Sequence, residues 1–206
     1  MLSTLFTSKF FSLQMAIEKK IVVITAPSGA GKTSITKHLL QTFHQLAFSI
    51  SAATRPQRTH EVNGKDYYFI STAEFKEKIN RGEFMEWEMV YEGKYYGTLK
   101  SELERIWSDN HIPVLDIDVK GAIHVQQQFP GNLLSIFIDP PSVKELERRL
   151  QSRGTETKET LQARVSKASF EISFKHHFNK IIVNDHLENA CKAAEIIVKE
   201  FMETSI

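Results

Sequence analysis

Short, continuous apolar runs alternate along the chain with longer stretches whose apolar positions recur every three or four residues. Ile21-Val22-Val23-Ile24, Ile112-Pro113-Val114-Leu115-Asp116-Ile117-Asp118, Leu133-Leu134-Ser135-Ile136-Phe137-Ile138 and Ile181-Ile182-Val183 are of the first kind. Such runs suit strands covered on both faces, and the helical stretches between them serve as crossovers. The pattern predicts an α/β fold with a parallel, doubly wound central sheet that presents ligands at the carboxyl ends of its strands. Ala47 to Ala52 reads as one further strand.

Between about residues 51 and 98 the pattern changes. Pro56 and Asn63-Gly64 mark turns, Tyr67 to Ile70 and Phe84 to Trp87 read as strands, and Gly93 turns the chain into Tyr95-Tyr96-Gly97-Thr98. This is a small β lobe rather than a βαβ unit. Within it, Ser71-Thr72-Ala73-Glu74 forms a capping box for a helix that carries Phe75 and Ile79 and stops at Arg81-Gly82. Leu99, Leu103, Ile106 and Trp107 fall at helical spacing and are expected to face the core.

Pro140-Pro141-Ser142 with Glu145 opens a later helix that runs into Arg148-Arg149-Leu150-Gln151-Ser152-Arg153-Gly154-Thr155-Glu156-Thr157, a hinge-like, basic and weakly apolar segment. Together with Arg164 on the next helix it reads as a mobile, helical lid over about 142–168. The last helix carries Leu187, Ala190, Ala194, Ile197 and Phe201 and is expected to pack back on the sheet.

The 206 residues accommodate one α/β domain, a core of 16–50 and 99–206 with the lobe 51–98 inserted. With 26 basic against 25 acidic residues, no overall field exists to hold nucleic acid or an anionic membrane, so anion binding must be local. No run approaches the roughly eighteen apolar residues of a membrane span. The single cysteine, Cys191, excludes an intramolecular disulfide and fits a reducing, cytoplasmic setting. Met1 to Gln14 lack the arginines of a transit peptide, and with Met15 as an alternative start, residues 1–15 are set apart as an N-terminal extension. The eight histidines show no metal-ligand spacing, and His176-His177 read as surface residues or caps.

The strongest chemical signal follows the first apolar run: Thr25-Ala26-Pro27-Ser28-Gly29-Ala30-Gly31-Lys32-Thr33-Ser34 leads from a buried strand into a helix. In such a loop backbone N–H groups turn around phosphate oxygens, the lysine reaches the outer phosphates and the threonine hydroxyl coordinates magnesium. The strict pattern begins with glycine where Ala26 stands. A negative φ makes alanine acceptable there, and Pro27 biases Ala26 toward the extended region.

A second site is suggested by Arg55 and Arg58 beside a proline turn, with Tyr67 and Tyr96 as phenolic donors. Together they can hold another phosphate, or the arginines form a solvated basic turn. Glu86, between Met85 and Trp87, either has a buried partner or points to water. Asp116 and Asp118 are expected to point to opposite faces, one toward the phosphate site to orient magnesium; a cap is the other reading. Arg149, Arg153 and Arg164 are candidates for closing over the triphosphate, against a solvated basic helix.

These blocks, from the loop at Ala26 to Ser34 through Ser49–Arg58, Glu61–Tyr67, Glu83–Trp87, Tyr95–Thr98, Leu115–Gly121 and Arg153–Thr157, resemble the guanylate kinase family from about Lys20 onward. The resemblance implies a P-loop kinase fold and transfer of the γ-phosphoryl of ATP to GMP, and to dGMP, in purine nucleotide metabolism and GMP recycling. It implies that Lys32, Arg55, Arg149 and Arg164 serve catalysis. Ala26 to Ser34 with Arg153 and Asn184 would hold ATP. The GMP set would be Ser51, Arg55, Arg58, Glu61, Tyr67, Glu86, Tyr96, Gly97, Thr98 and Asp118. Arg55, Arg58, Tyr67 and Tyr96 would grip the phosphate, and Glu86, Ser51 and Thr98 would read guanine. Magnesium would lie on Thr33 and, through water, on Asp116. Two rivals are a guanylate-kinase-like protein-binding module without catalysis and a related P-loop kinase for another acceptor. Monomer and homo-oligomer both stay open.

Overall fold

The computed structural model describes residues 19–152 and 158–204. The N-terminal extension, the choice of start at Met15, and the lid segment with Arg153 lie outside the described residues. Ile21–Thr25 (β1), Leu46–Phe48 (β2), Ile112–Asp116 (β7), Leu133–Asp139 (β8) and Lys180–Val183 (β9) form a parallel sheet in the order β2-β7-β1-β8-β9. β1 is central and fully buried, pairing Val23 with Leu115 on one side and with Ser135 on the other.

The expected layers are present. Lys32–Thr42 (α1) and Leu187–Glu203 (α7) cover one face, where Val22, Ile24, Ile35, Leu39, Ala190, Ala194 and Val198 make one apolar cluster. Lys100–Ser108 (α3) and Val119–Gln128 (α4) contribute Leu103, Trp107, Ala122 and Val125 to a cluster on the other, with Val23, Leu115 and Phe137. Cys191 is buried in the first cluster. Of the residues expected to be buried on α7, Leu187, the first residue of the helix, is instead half-exposed.

A second sheet, in the order β4-β3-β6-β5, is built from Ala52–Ala53 (β3), Tyr68–Phe69 (β4), Phe84–Tyr91 (β5) and Lys94–Leu99 (β6). It packs on Thr72–Asn80 (α2) through stacked Phe75 and Phe84. Ser71 caps α2, accepting from the Glu74 N–H, and Gly82 ends it with φ +66°.

The single strand expected over Ala47–Ala52 is two strands in different sheets. The Ser49 N–H still donates to Val114 of β7, whereas Ala52 already pairs with Gly97 of β6. The chain therefore crosses between sheets at Ile50. Val143–Gln151 (α5) and Lys158–Ser173 (α6) supply the described parts of the predicted lid and pack on each other through Leu146, Leu150 and Ala168. Among the described residues no helix is long and apolar enough to cross a membrane.

Candidate active site

The loop between β1 and α1 turns on two left-handed glycines, Gly29 at φ +94° and Gly31 at φ +97°. Ala26 keeps a negative φ, as its glycine-free position requires, since among the described residues only Asn110 is a non-glycine with positive φ. No side chain caps α1; the Ser34 and Ile35 N–H groups donate to the Gly31 carbonyl, and the helix dipole favours an anion at this end. Beneath the loop, the Asn184 amide donates to the Ala30 carbonyl at 2.7 Å. A Cβ at Gly31 would lie 2.2 Å from that amide nitrogen, so Asn184 supports the loop from below.

Lys32 projects from the start of α1 across the end of β7, 2.5 Å from Asp116 Oδ1 and donating to the Ile117 carbonyl at 3.1 Å. Asp116 ends its strand and Asp118 is the N-cap of α4, accepting from the Gly121 N–H at 2.9 Å. The expectation of opposite faces is therefore wrong. Positions two apart on a strand share a face, and here the strand stops before Asp118; both carboxylates line one cleft.

That cleft lies between the two sheets. Lys32, Asp116 and Asp118 form its core wall, and Ser51, Tyr67, Glu86, Glu88, Tyr96 and Gly97 form the wall from the second sheet. A second cleft runs along the loop from Ala26 to Ser34, Ala30 excepted, with Thr33 exposed in it and Glu171 of α6 opposite. The two clefts share Lys32, Tyr67, Val90 and Asp118. A group bound in one is thus within reach of a group bound in the other.

Glu86 is 4 % exposed, and the Thr98 hydroxyl donates to its Oε1 at 2.7 Å. Burial, with the negative charges of Asp118 and Glu88 nearby, pushes its carboxyl up to about 7 despite the Thr98 hydrogen bond. Gly121, at the first turn of α4, presses against the other oxygen: a Cβ there would lie 2.6 Å from Oε2.

Arg55 makes a two-pronged ion pair with Glu61, both bonds 2.6 Å, and lies over the rings of Tyr67 and Phe69. Glu61 also accepts from the Arg58 N–H, and these contacts hold its carboxyl down at about 2. Glu61 is thus the residue that fixes Arg55. The Arg58 side chain is 64 % exposed and does not line the cleft. Tyr67 and Tyr96 meet edge to face at 6.1 Å, and burial raises the Tyr67 phenol.

Arg149 donates to the backbone carbonyls of Asn184 and Asp185 at 3.0 and 3.3 Å and to Glu145 at 2.9 Å. Arg164 reaches Ser28 of the loop at 3.4 Å. Among the described residues no group of three or more His, Cys, Asp or Glu is placed to hold a metal by itself. Sequence reasoning did not single out Gly121, Glu88 or Glu171 as site residues. A glycine in the first turn of a helix that needs none was the available signal for Gly121.

A parallel sheet with a phosphate loop after its central strand, facing a second sheet across a cleft that shares the loop lysine, defines a P-loop nucleotide kinase. The guanylate kinase family model matches residues 18–204. The chain is 43% identical over 185 residues to a guanylate kinase of Bacteroides fragilis, covering 90% of this chain and 91% of that one. It is 45% identical over 190 residues to a guanylate kinase of Chlorobium chlorochromatii, covering 91% and 100%. The crystal structure of guanylate kinase from Anaplasma phagocytophilum superposes with a TM-score of 0.73 at 30% identity, over 90% of this chain and 87% of that chain. This chain belongs to the guanylate kinase family.

Proposed function

We propose that this chain, as a guanylate kinase, catalyses the ATP-dependent phosphorylation of GMP to GDP, with ADP as the other product. The observation that carries the acceptor's identity is Glu86, a buried carboxylate braced by Thr98 and open to the cleft. Guanine offers an N1–H and an exocyclic amine side by side, and one ionised carboxylate accepts both. Adenine has an unprotonated N1 there and would leave the carboxylate unpaired, which disfavours it by about 10⁴ to 10⁵. Ser51 assists the reading of guanine.

Arg55, oriented by Glu61, grips the GMP phosphate with Tyr67 and Tyr96. Arg58 joins by swinging in from solvent, while Gly97 and Asp118 shape the wall. ATP lies along Ala26, Pro27, Ser28, Gly29, Ala30, Gly31, Lys32, Thr33 and Ser34. Arg149 and Arg164 act on the ATP side from the lid, and Arg153 is assigned to ATP binding as well. Asn184 acts on the ATP side by holding the loop. An ionised phosphate acceptor needs no general base, so positioning and neutralisation of charge by Lys32, Arg55, Arg149 and Arg164 carry the rate.

Magnesium suits the oxygen donors present: the exposed Thr33 hydroxyl in the triphosphate cleft, and Asp116 beside Lys32 through water. When bound it would neutralise phosphate charge. We also assign dGMP as an acceptor, the substrates as small molecules without nucleic acid or membrane, and a cytoplasmic location supported by the lone buried Cys191.

The test is coupled ADP release with ATP and magnesium, offering GMP, dGMP, AMP, CMP, UMP or no acceptor. Turnover confined to GMP and dGMP is expected. GMP that binds without being phosphorylated would make the chain a binding module, and turnover of another acceptor a different kinase.

A further inference from the structure

One buried carboxylate stands where the two sheets join, and the reaction just described does not use it. Glu102 of α3 is 3 % exposed. Its Oε1 accepts from the Ile50 N–H at 3.1 Å and from Arg105 at 2.9 Å; its Oε2 accepts from the Tyr68 hydroxyl at 3.0 Å and from Arg105 at 3.0 Å. The position of these donors matters. Ser49 still bonds to β7 of the core sheet, and the Ser51 carbonyl already accepts from the Tyr68 N–H of the second sheet at 2.9 Å. Ile50 lies between them, at the crossing, and its N–H goes to Glu102 instead of to either sheet.

Glu102 therefore holds the residue before Ser51 and the residue after Tyr67, and both Ser51 and Tyr67 line the cleft. It arrives on the helix that follows β6, the strand by which the chain returns from the second sheet. An apolar side chain would be cheaper to bury than a carboxylate but would leave the Ile50 N–H and the Tyr68 hydroxyl without their acceptor.

We propose that Glu102 is a positioning residue for the acceptor nucleotide, fixing Ser51 and Tyr67 through Ile50 and Tyr68. The inference rests on the reading of this cleft as the GMP site. It implies that loss of Glu102 weakens GMP and spares ATP, whose loop is built on β1 and α1.

The experiment compares Glu102→Ala, Glu102→Gln and Tyr68→Phe with the parent protein, measuring KM for GMP, KM for ATP, kcat and thermal midpoint. Glu102→Ala is expected to raise KM for GMP about tenfold and Tyr68→Phe about threefold, with KM for ATP within about twofold. Glu102→Gln, which keeps one acceptor oxygen, should fall between parent and alanine variant. A purely structural role would lower the thermal midpoint and kcat without moving the ratio of the two KM values. Unchanged KM for GMP in Glu102→Ala, or parallel rises for both substrates, overturns the proposal. If Glu102→Ala does not fold, Tyr68→Phe decides by the same criterion, because it leaves the carboxylate on Ile50 and Arg105. A parent protein that shows no GMP-dependent ADP release refutes the GMP reading itself, a result distinct from failure of the variants against an active parent.

Discussion

Thr98 and Glu86, on adjacent strands and twelve residues apart, meet where almost no solvent reaches: the threonine hydroxyl donates to Oε1 at 2.7 Å, and only one oxygen of the carboxylate is thereby engaged. The carboxyl is pushed up to about 7, chiefly by burial. Guanine is read by the ionised form. KM for GMP is accordingly expected to rise as pH falls below 7, by about tenfold per pH unit at the limit. The stability effect has the opposite sense. A folded-state value raised above the usual 4.5 means that the contribution of Glu86 to stability is present below pH 4.5 and lost as pH rises through 7. Glu86→Gln should flatten the GMP profile, raise KM for GMP, leave KM for ATP nearly unchanged and raise the thermal midpoint more at pH 8 than at pH 5. KM measured from pH 5.5 to 8.5 on both proteins checks this, the variant serving as control for titration of GMP's own phosphate near pH 6.

Gly121 admits the Glu86 carboxylate because it has no side chain. In Gly121→Ala the new methyl would lie 2.6 Å from Oε2, and one of the two must move. Alanine favours the helix, so the fold should persist with a thermal midpoint close to the parent's. KM for GMP should rise about tenfold or more, with KM for ATP within about twofold. An unchanged KM for GMP would show that the carboxylate is not the guanine contact.

Glu61 holds Arg55 by two bonds of 2.6 Å and is itself held down at about 2. Its contribution to stability is fully present above pH 4.5 and lost as pH falls toward 2, so it adds no pH dependence near neutrality. Glu61→Gln keeps the size and removes the charge. GMP affinity should fall about tenfold, because an arginine released from its partner has several orientations to choose from. Calorimetric titration with GMP reads this directly.

Lys32 belongs to both clefts, yet its ion pair is with Asp116 of the core. In Lys32→Ala turnover should drop by about 10³-fold or more, since charge on the transferred group is no longer neutralised. GMP binding by calorimetry should change little. Loss of GMP affinity equal to that of Glu86→Gln would contradict the separate roles of the two residues.

Much of this arrangement is legible in the chain because it is local. The run Ile21 to Ile24, two glycines and Lys32 encode strand, left-handed turns and helix start within a dozen residues, and Ser71 and Ser142 cap the helices expected of them. The break at Ile50 is not local. Two-residue β3 is too short to carry an alternation of its own, and the contact that pulls Ile50 away comes from Glu102, 52 residues later. Alternation likewise could not say that β7 stops at Asp116, which turned two strand positions into a strand end and a helix cap. Arg55, Arg58 and Glu61 are close in sequence, but their composition does not reveal which arginine the carboxylate takes. The structure gives the two short side-chain bonds to Arg55, while Arg58 contributes its backbone N–H and a longer side-chain pair at 4.0 Å.

All four strands of the second sheet come from one uninterrupted stretch, Ala52 to Leu99, and its first and last strands, β3 and β6, are paired neighbours. A segment that departs and returns side by side can be exchanged as a cassette without rerouting the rest of the chain. The phosphate loop, β1 and α1 lie wholly outside it. Acceptor preference in this architecture is therefore open to grafting: a lobe shaped for a different base could be spliced between Ser49 and Lys100, leaving the donor machinery as it stands.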